Sequence, residues 1–289
     1  MWKKRIAVKK KYFVVGGLAV IIILAVLYCL YVNNDLTVTS YKIETKLDNP
    51  LRIVQLTDLH EKEFGEDNIR LIETVKEQNP DLIVMTGDMQ NKNDEDTDVV
   101  CSLIRELSNI ADVYYGYGNH EKTWEQTFNK NFAEIVTDAG ATVLENEYMD
   151  ITVRGNELRI AGYMGYYRAV NMTADTEKEQ QAELAFMDEF ENTDRYKILL
   201  NHIPTSWSDW GYLDLYPVDL VFSGHYHGGQ MVLPFAGPLY APYIGFFPDN
   251  VKGLYQGENG NCILSSGLGT DYFIPRINNP PEIVTVVLE

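Results

Sequence analysis

All five histidines of the chain lie in short polar clusters that also carry carboxylate or amide side chains. The clusters are Asp58-Leu59-His60, Gly87-Asp88, Gly118-Asn119-His120-Glu121, Asn201-His202, and the segment from Gly224 to Gln230, which contains His225 and His227. Imidazole, carboxylate and amide groups together suit divalent metals such as Mn, Fe or Zn. Cysteine is absent from the clusters, which argues against a structural zinc site. The residue types therefore predict a metal site that performs chemistry.

Each cluster follows an apolar run that has the pattern of a buried strand. The predicted strands cover residues 52–57, 81–86, 112–117, 196–200 and 218–223. Ligands of open α/β sheets bind beyond the carboxyl ends of the strands, so we expect the five clusters to converge there. Asp58 and Asp88 are 30 residues apart, and Asp88 and Asn119 are 31 residues apart. Each step has the length of one strand–helix–strand crossover.

The remaining pattern predicts one α/β domain from about residue 36 to residue 289. Helices are predicted at residues 67–77, 97–108, 123–138 and 175–191, and further strands at 141–146, 157–162, 262–266 and 282–288. Residues 36–43 alternate in polarity and are either a linker or the first edge strand. The sequence leaves open whether Cys101 and Cys262 form a disulfide.

The N-terminus combines a basic tail with a long uncharged segment. Residues 1–12 hold six basic residues and no acidic one, and residues 13–32 carry no charge. Twenty helical residues span about 30 Å, which is the thickness of the hydrocarbon core of a bilayer. By the positive-inside rule this pattern predicts a single-pass membrane anchor with an extracytoplasmic domain. A cleaved signal peptide is the alternative, but the segment is longer than a signal core and no small-residue cleavage site follows it.

The predicted domain is strongly acidic. Six of the 24 basic residues precede residue 13, which leaves 18 against 42 acidic residues and a formal charge of −24. A field of this sign repels polyanions, so a nucleic acid partner is not expected.

The order and spacing of the clusters resemble those of the calcineurin-like metallophosphoesterases. The signature of that family is Asp-x-His, Gly-Asp, Gly-Asn-His-Asp/Glu, His and Gly-His-x-His, and each part occurs here in that order. Residues 267–269, 275–276 and 279–283 are also similar to a small exported, membrane-associated branch of the family. The resemblance covers about residues 36–289 and implies a four-layer αββα sandwich of two mixed sheets with helices outside.

The resemblance also implies a role for each residue of the clusters. Asp58, His60 and His227 would bind one divalent metal, Asn119, His202 and His225 would bind a second, and Asp88 would bridge the two. A hydroxide that bridges the metals would attack phosphorus, and His120 would protonate the leaving oxygen or neutralise the oxyanion. The implied activity is hydrolysis of phosphoester or phosphoanhydride bonds in a phosphorylated small molecule or a lipid-linked phosphate.

One position departs from the family pattern. Many members have Gly-Asp-x-x-Asp, whose second Asp pairs with the catalytic histidine, whereas this chain has Asn91 at that place. Asn91 can hydrogen-bond an imidazole but cannot stabilise an imidazolium as a carboxylate does, and Asp94 is an alternative partner for His120.

Two other function classes are alternatives to hydrolysis of a phosphate ester. A catalytically weak metal-binding module would be favoured by the loss of a ligand, and none is lost here. A β-lactamase-like metallohydrolase would show His-x-His-x-Asp-His early in the chain, and that motif is absent.

Substrate contacts are predicted for Arg168, Phe246 and Phe247. The segment 233–250 follows the Gly-His-x-His motif and carries aromatic residues but no basic one. It would form an apolar wall beside the metals and favour an amphiphilic phosphate held at the membrane. The alternative is a buried loop packed on the sheet edge. Arg276 either clamps a phosphate or packs within the fold.

Overall fold

Two six-stranded sheets form the centre of the computed structural model, which describes residues 2–169, 176–270 and 275–289. The helices are α1 (Trp2–Asn34), α2 (Ile69–Glu77), α3 (Asp98–Ser108), α4 (Asn119–Phe128), α5 (Phe132–Asp138), α6 (Glu177–Glu191), α7 (Thr205–Ser208) and α8 (Tyr212–Leu215). The strands of the first half are β1 (Thr37–Ile43), β2 (Leu51–Leu56), β3 (Leu82–Thr86), β4 (Asp112–Gly116), β5 (Ala141–Leu144), β6 (Glu147–Val153) and β7 (Asn156–Gly162). Those of the second half are β8 (Tyr196–Leu200), β9 (Leu220–Ser223), β10 (Val232–Leu233), β11 (Gly237–Pro238), β12 (Tyr240–Ala241), β13 (Gly245–Phe246), β14 (Gly253–Gln256), β15 (Asn261–Leu264) and β16 (Glu282–Leu288).

The first sheet has the strand order β1-β16-β2-β3-β4-β5. Strands β2, β3, β4 and β5 are parallel, and β16 runs antiparallel to β2 and parallel to β1. Helices connect the parallel strands, as parallel pairing requires. The carboxyl ends of β2, β3 and β4 therefore meet at one edge of the sheet.

The second sheet has the order β14-β15-β9-β8-β7-β6. Its four inner strands are parallel, and the two edge strands β14 and β6 are antiparallel to their neighbours. Strands β8 and β9 end directly before Asn201 and Gly224, so the second sheet supplies the later polar clusters.

Alternate residues of the strands face different apolar layers. In β3, Ile83 and Met85 pack against the helices outside the first sheet, whereas Leu82 and Val84 pack between the two sheets. A third layer, which includes Phe190 of α6, covers the outer face of the second sheet. Helices cover both outer faces, so the predicted αββα sandwich of two mixed sheets is confirmed.

Several elements differ from the sequence prediction, among them the short helices α7 and α8 and the strands β10 to β14, which were not predicted. The helix predicted at 123–138 is two helices, α4 and α5, because Asn129 adopts a left-handed conformation (φ 51°) and ends α4. The Asn131 side chain then accepts a hydrogen bond from the Glu134 N–H and begins α5. Strand β6 was not predicted, since it is an edge strand with mostly exposed or half-exposed residues and lacks a buried apolar run.

Several boundaries are set by local contacts. Residues 37–43 are an edge strand rather than a linker, since β1 pairs with β16 along its whole length. Helix α6 begins after Thr176, whose hydroxyl accepts the Glu179 N–H, and the predicted start at Asp175 lies outside the described residues. Cys101 and Cys262 are both buried and free, and they lie in different apolar layers.

Helix α1 contains one stretch, Gly16–Asn34, that is long and apolar enough to cross a membrane, although a signal sequence has the same properties. The end of this helix is held to the domain. Asn33 Nδ2 donates to the Arg276 carbonyl oxygen at 3.2 Å, and the Arg276 N–H donates to Asn33 Oδ1 at 3.1 Å. The Tyr28 hydroxyl also donates to Asn278 Oδ1. The single-pass topology and its orientation stay predictions.

Candidate metal centre

Two buried groups of ligand-type side chains lie at the carboxyl ends of the strands. One group is formed by Asp58, His60 and His227, and the other by Asp88, His202 and His225. Within each group the candidate ligand atoms lie within 4.8 Å of one another. The structure therefore brings together six of the seven residues predicted as ligands. The seventh, Asn119, is the first residue of α4.

The position of His202 allows a direct test of whether a cation fits. Its Nδ1 donates to the Thr86 carbonyl oxygen at 2.7 Å, which leaves Nε2 as the ligand atom. Nε2 lies 3.2 Å from Asp88 Oδ2 and 3.2 Å from His225 Nδ1. Two ligands about 2.1 Å from one metal, at roughly 90–110° to each other, are about 3.0–3.4 Å apart. The donor atoms therefore have separations that can accommodate one metal ion.

Three further atoms have unused hydrogen-bonding capacity. Asn119 Oδ1, His225 Nε2 and His227 Nδ1 are buried and have no hydrogen-bond partner among the residues that the structure describes. Buried polar atoms are normally paired, because an unpaired one costs about 1–3 kcal/mol. Asn119 Oδ1 is therefore available as a ligand atom, whereas His225 meets the cluster through Nδ1 and His227 through Nε2, their other ring nitrogens. This set of oxygen and nitrogen donors fits a cation.

The backbone at the clusters is conformationally strained. Five of the seven predicted ligands have a positive φ, namely Asp58 (52°), His60 (48°), Asp88 (52°), His225 (71°) and His227 (48°). Such conformations are uncommon outside glycine and concentrate at functional sites. They turn the chain sharply at each strand end, so that side chains from different strands point to one place.

Two glycines allow the strand ends to approach closely. A Cβ at Gly224 would lie 2.3 Å from Asp58 Oδ2, and a Cβ at Gly118 would lie 2.2 Å from Asp88 Oδ1. With glycine at 224, the His225 N–H donates to both Asp58 carboxylate oxygens at 3.1 Å. Any side chain at these two positions would displace a carboxylate.

Burial and mutual charge set the protonation of the cluster. Burial raises the pKa of Asp58 to about 7. Burial alone would also raise the pKa of Asp88, but His202 outweighs it and holds the pKa well below its usual range. Asp88 likewise raises the pKa of His202 to about 10 against the effect of burial. Burial lowers the pKa of His225 to about 3 and that of His227 well below its usual value. His225 and His227 are therefore neutral at pH 7, the form that binds metals.

Glu121 holds two of the strand ends together. Its Oε2 accepts the backbone N–H groups of Asp88 (2.9 Å) and Gly118 (2.8 Å), and its Oε1 accepts the N–H groups of Met89 (2.8 Å) and Gln90 (3.2 Å) and the Tyr115 hydroxyl (2.8 Å). The side chain is fully buried. Glu121 thus positions the loops that carry Asp88 and Asn119.

His120 lies beside Asp88 but does not have the partner predicted for it. Its Nε2 is 4.0 Å from Asp88 Oδ2 and 3.3 Å from the ammonium nitrogen of Lys92. Asn91 Nδ2 instead donates to the His60 carbonyl oxygen at 3.0 Å and to a Glu61 carboxylate oxygen at 2.6 Å. Lys92 was not predicted. It follows Asn91 directly, and only the folded loop places it at the histidine.

The predicted substrate residues occupy two different environments. Arg168 Nη2 pairs with Asp188 at 2.7 Å and with Glu191 at 2.9 Å, so this guanidinium fastens its loop to α6 and is not proposed as a substrate contact. Phe246 and Phe247 are exposed at the hairpin of β12 and β13.

That hairpin reaches the metal centre through Tyr243. The Tyr243 ring stacks on His225, with centroids 5.1 Å apart and planes 19° apart. The Tyr166 ring lies beside it at 6.5 Å. The segment is therefore not a buried loop. Tyr243 was part of the predicted aromatic segment but was not named as a site residue.

Arg276 has a packing role. Its buried guanidinium donates to the Ser266 carbonyl oxygen at 2.7 Å and to the Gly269 carbonyl oxygen at 2.7 and 3.2 Å. The N–H of Gly269 in turn donates to the Asp58 carbonyl oxygen at 2.6 Å. Arg276 therefore supports the loop behind Asp58, and of the two alternatives the structure favours packing.

The sandwich brings buried carboxylates and imidazoles together at the strand ends, an arrangement suited to binding divalent cations. The chain belongs to the calcineurin-like phosphoesterase family, whose model matches residues 51–229. Its enzyme class is accordingly a metal-dependent phosphohydrolase.

Individual proteins are also similar to this chain. The chain is 30% identical over 266 residues to the metallophosphoesterase YkuE of Bacillus subtilis, with 89% of this chain and 85% of that protein covered. It is 26% identical over 242 residues to the phosphodiesterase YaeI of Escherichia coli, covering 83% and 82%. Among solved structures it is similar to the phosphopantetheinyl hydrolase PptH of Mycobacterium tuberculosis, with a TM-score of 0.46, 14% identity, and coverage of 75% and 89%.

Proposed function

We propose that the chain hydrolyses phosphoester or phosphoanhydride bonds with two divalent cations at this centre. Asp58, His60 and His227 would hold one cation, Asn119, His202 and His225 would hold the other, and the Asp88 carboxylate would contribute to both. The carrying observation is that His202 Nε2 lies 3.2 Å from Asp88 Oδ2 and 4.0 Å from Asp58 Oδ1. This spacing supports one site that joins both groups. When bound, two such cations lower the pKa of an attacking water and neutralise charge on the phosphoryl oxygens.

Protein groups at the edge of the centre complete the reaction. His120 donates a proton to the leaving oxygen, a role that its 4.0 Å distance from Asp88 supports. The Lys92 ammonium group beside it neutralises negative charge on the departing group. Asn91 holds Glu61 and the His60 backbone in place and takes no part in proton transfer.

The decisive variant is Asp88→Asn, assayed with a chromogenic phosphodiester and added Mn²⁺. We expect activity to be abolished and fewer than two metal ions per chain by elemental analysis. Asp81→Asn is the matched control, because Asp81 lies just before the amino end of the same strand, β3, away from the centre. Full activity of Asp88→Asn would overturn the two-metal assignment.

The substrate that the surroundings favour is amphiphilic and held at a membrane. The exposed aromatic hairpin beside His225 supports an apolar substrate portion, and the apolar stretch of α1 supports a membrane location. The test compares short- and long-chain versions of one phosphoester in micelles. We expect kcat/KM to rise with chain length and to fall in Phe246→Ser/Phe247→Ser. Equal rates for both chain lengths would indicate a soluble substrate.

A further inference from the structure

Two hairpins that follow the Gly-His-x-His motif present an exposed apolar face. This hairpin face consists of Phe235 on β10–β11 and of Tyr243, Ile244, Phe246 and Phe247 on or directly after β12–β13. Phe235 is fully exposed, and the exposed fractions of Phe246 and Phe247 are 72% and 56%. Residues 231–247 carry no charge, although at the chain's 23% charged content about four charges would be expected. Clustered exposed aromatics of this kind mark an interaction surface.

The two hairpins form one connected unit. The Leu239 N–H donates to the Met231 carbonyl oxygen at 2.8 Å, and the Phe247 N–H donates to the Leu239 carbonyl oxygen at 3.0 Å. These bonds tie the base of the first hairpin to the end of the second. The aromatic tips therefore act together rather than as separate loops.

The hairpin unit is attached to the C-terminal part of α1. The Val232 N–H donates to the Ile277 carbonyl oxygen at 2.8 Å, and Asn278 Nδ2 donates to the Val232 carbonyl oxygen at 2.9 Å. Asn278 in turn accepts a hydrogen bond from the Tyr28 hydroxyl. Tyr28 lies six residues, about 9 Å along the helix axis, before the end of the apolar stretch at Asn34. The hairpin base thus lies beside the apolar stretch, not beyond its end.

We propose that the hairpin face docks into the lipid bilayer that α1 crosses. The proposal rests on the membrane location in the proposed function. An uncharged aromatic face fits the boundary between headgroups and acyl chains, where aromatic rings concentrate. The contact of the hairpin base with Tyr28 brings the face to the depth of that boundary.

Docking of the hairpin face determines which side of the metal centre faces the bilayer. Tyr243 belongs to the face and stacks on His225, so the centre opens beside the docked surface. The phosphorus atom of an amphiphilic phosphate lies at headgroup level, next to that opening. Such a substrate reaches the metals without leaving the bilayer.

The test measures the depth of the hairpin face in the full-length protein. An environment-sensitive fluorophore is attached to Phe235→Cys or Phe246→Cys in a Cys29→Ser background, and Cys101 and Cys262 stay unlabelled because they are buried. The chain is reconstituted in nanodiscs of phosphatidylcholine and phosphatidylglycerol, with and without doxyl-labelled lipid. Met149→Cys is the matched control, being 42% exposed on the outermost strand β6 of the second sheet.

We expect the fluorophore at positions 235 and 246 to show a blue-shifted emission. We also expect doxyl lipid to quench it at least about twofold more strongly than at position 149. The reason is that docked apolar faces lie roughly 5–10 Å inside the boundary between headgroups and acyl chains. Quenching equal to that at position 149 would overturn the proposal. A blue shift without quenching would also overturn it, since a protein partner or a second copy would then cover the face. The measurement needs no turnover, so docking and the proposed hydrolysis can fail independently.

Discussion

We expect Glu121→Gln to lower the free energy of unfolding by about 3–6 kcal/mol. Each carboxylate oxygen of Glu121 accepts at least two hydrogen bonds, and four of the five donors are backbone N–H groups of the loops around Asp88 and Gly118. A glutamine amide can place its oxygen on one side and must turn its NH₂ group toward donors on the other side. At least two hydrogen bonds to a charged acceptor are lost, each worth about 1.5–3 kcal/mol.

The matched control is Glu125→Gln, one turn further along α4. Glu125 Oε1 accepts both the Tyr117 hydroxyl at 3.0 Å and the Phe132 N–H at 3.1 Å. A glutamine oxygen can keep both bonds, so the loss is confined to a partly exposed contact with Lys122 and should stay below about 1 kcal/mol.

The assay is urea unfolding of the full chain in detergent with EDTA, so that metal binding does not contribute to the measured stability. Metal affinity is measured separately and should also fall in Glu121→Gln, because the backbone positions of Asp88 and Asn119 depend on the carboxylate. If the free energies of unfolding of the two variants differ by less than about 1 kcal/mol, the hydrogen bonds to Glu121 do not organise the site as described.

Four further outcomes are expected. His120→Ala should lower kcat by about 10²-fold with metal content unchanged, and loss of metal in this variant would make His120 a ligand. Lys92→Met should lower kcat by about 10–10²-fold at nearly constant KM; a rise in KM alone would assign Lys92 to binding only. Chelation should lower the melting temperature, since a cation at 100 times its Kd stabilises by about 2.7 kcal/mol. Protease added to intact spheroplasts should digest the domain, and digestion only after lysis would reverse the orientation.

The strands that carry the metal centre could be predicted because each is buried on both faces. Tyr196–Leu200 has the predicted boundaries, and β2, β3 and β4 differ from theirs by a residue at one or both ends. Strand β9 begins two residues later than predicted. Strands between two apolar layers are continuous apolar runs, and the polar residues that follow them stand out. The convergence of His60 and His120 then follows from parallel pairing in the first sheet, whereas His202 joins them because the second sheet packs on the first.

Other features depend on contacts that no local pattern records. The pairing of Arg168 with Asp188 and Glu191 arises from the packing of its loop on α6. Lys92 meets His120 because the loop after β3 folds over α4. The left-handed Asn129 that divides the predicted helix is one of several residues that could have ended it. Side-chain pairings and helix ends of this kind are decided by tertiary contacts, about which the spacing of residues in the sequence carries little information.

The position of β16 has a consequence for biosynthesis. This strand lies between β1 and β2, yet it begins 239 residues after β1 ends. At about 5–20 residues per second, the ribosome needs roughly 12–48 s to produce the missing strand. Throughout that interval β1 and β2 have unpaired edges, which are templates for aggregation. A chain released before residue 282 cannot close its first sheet, so a truncated product is open to chaperones and proteases.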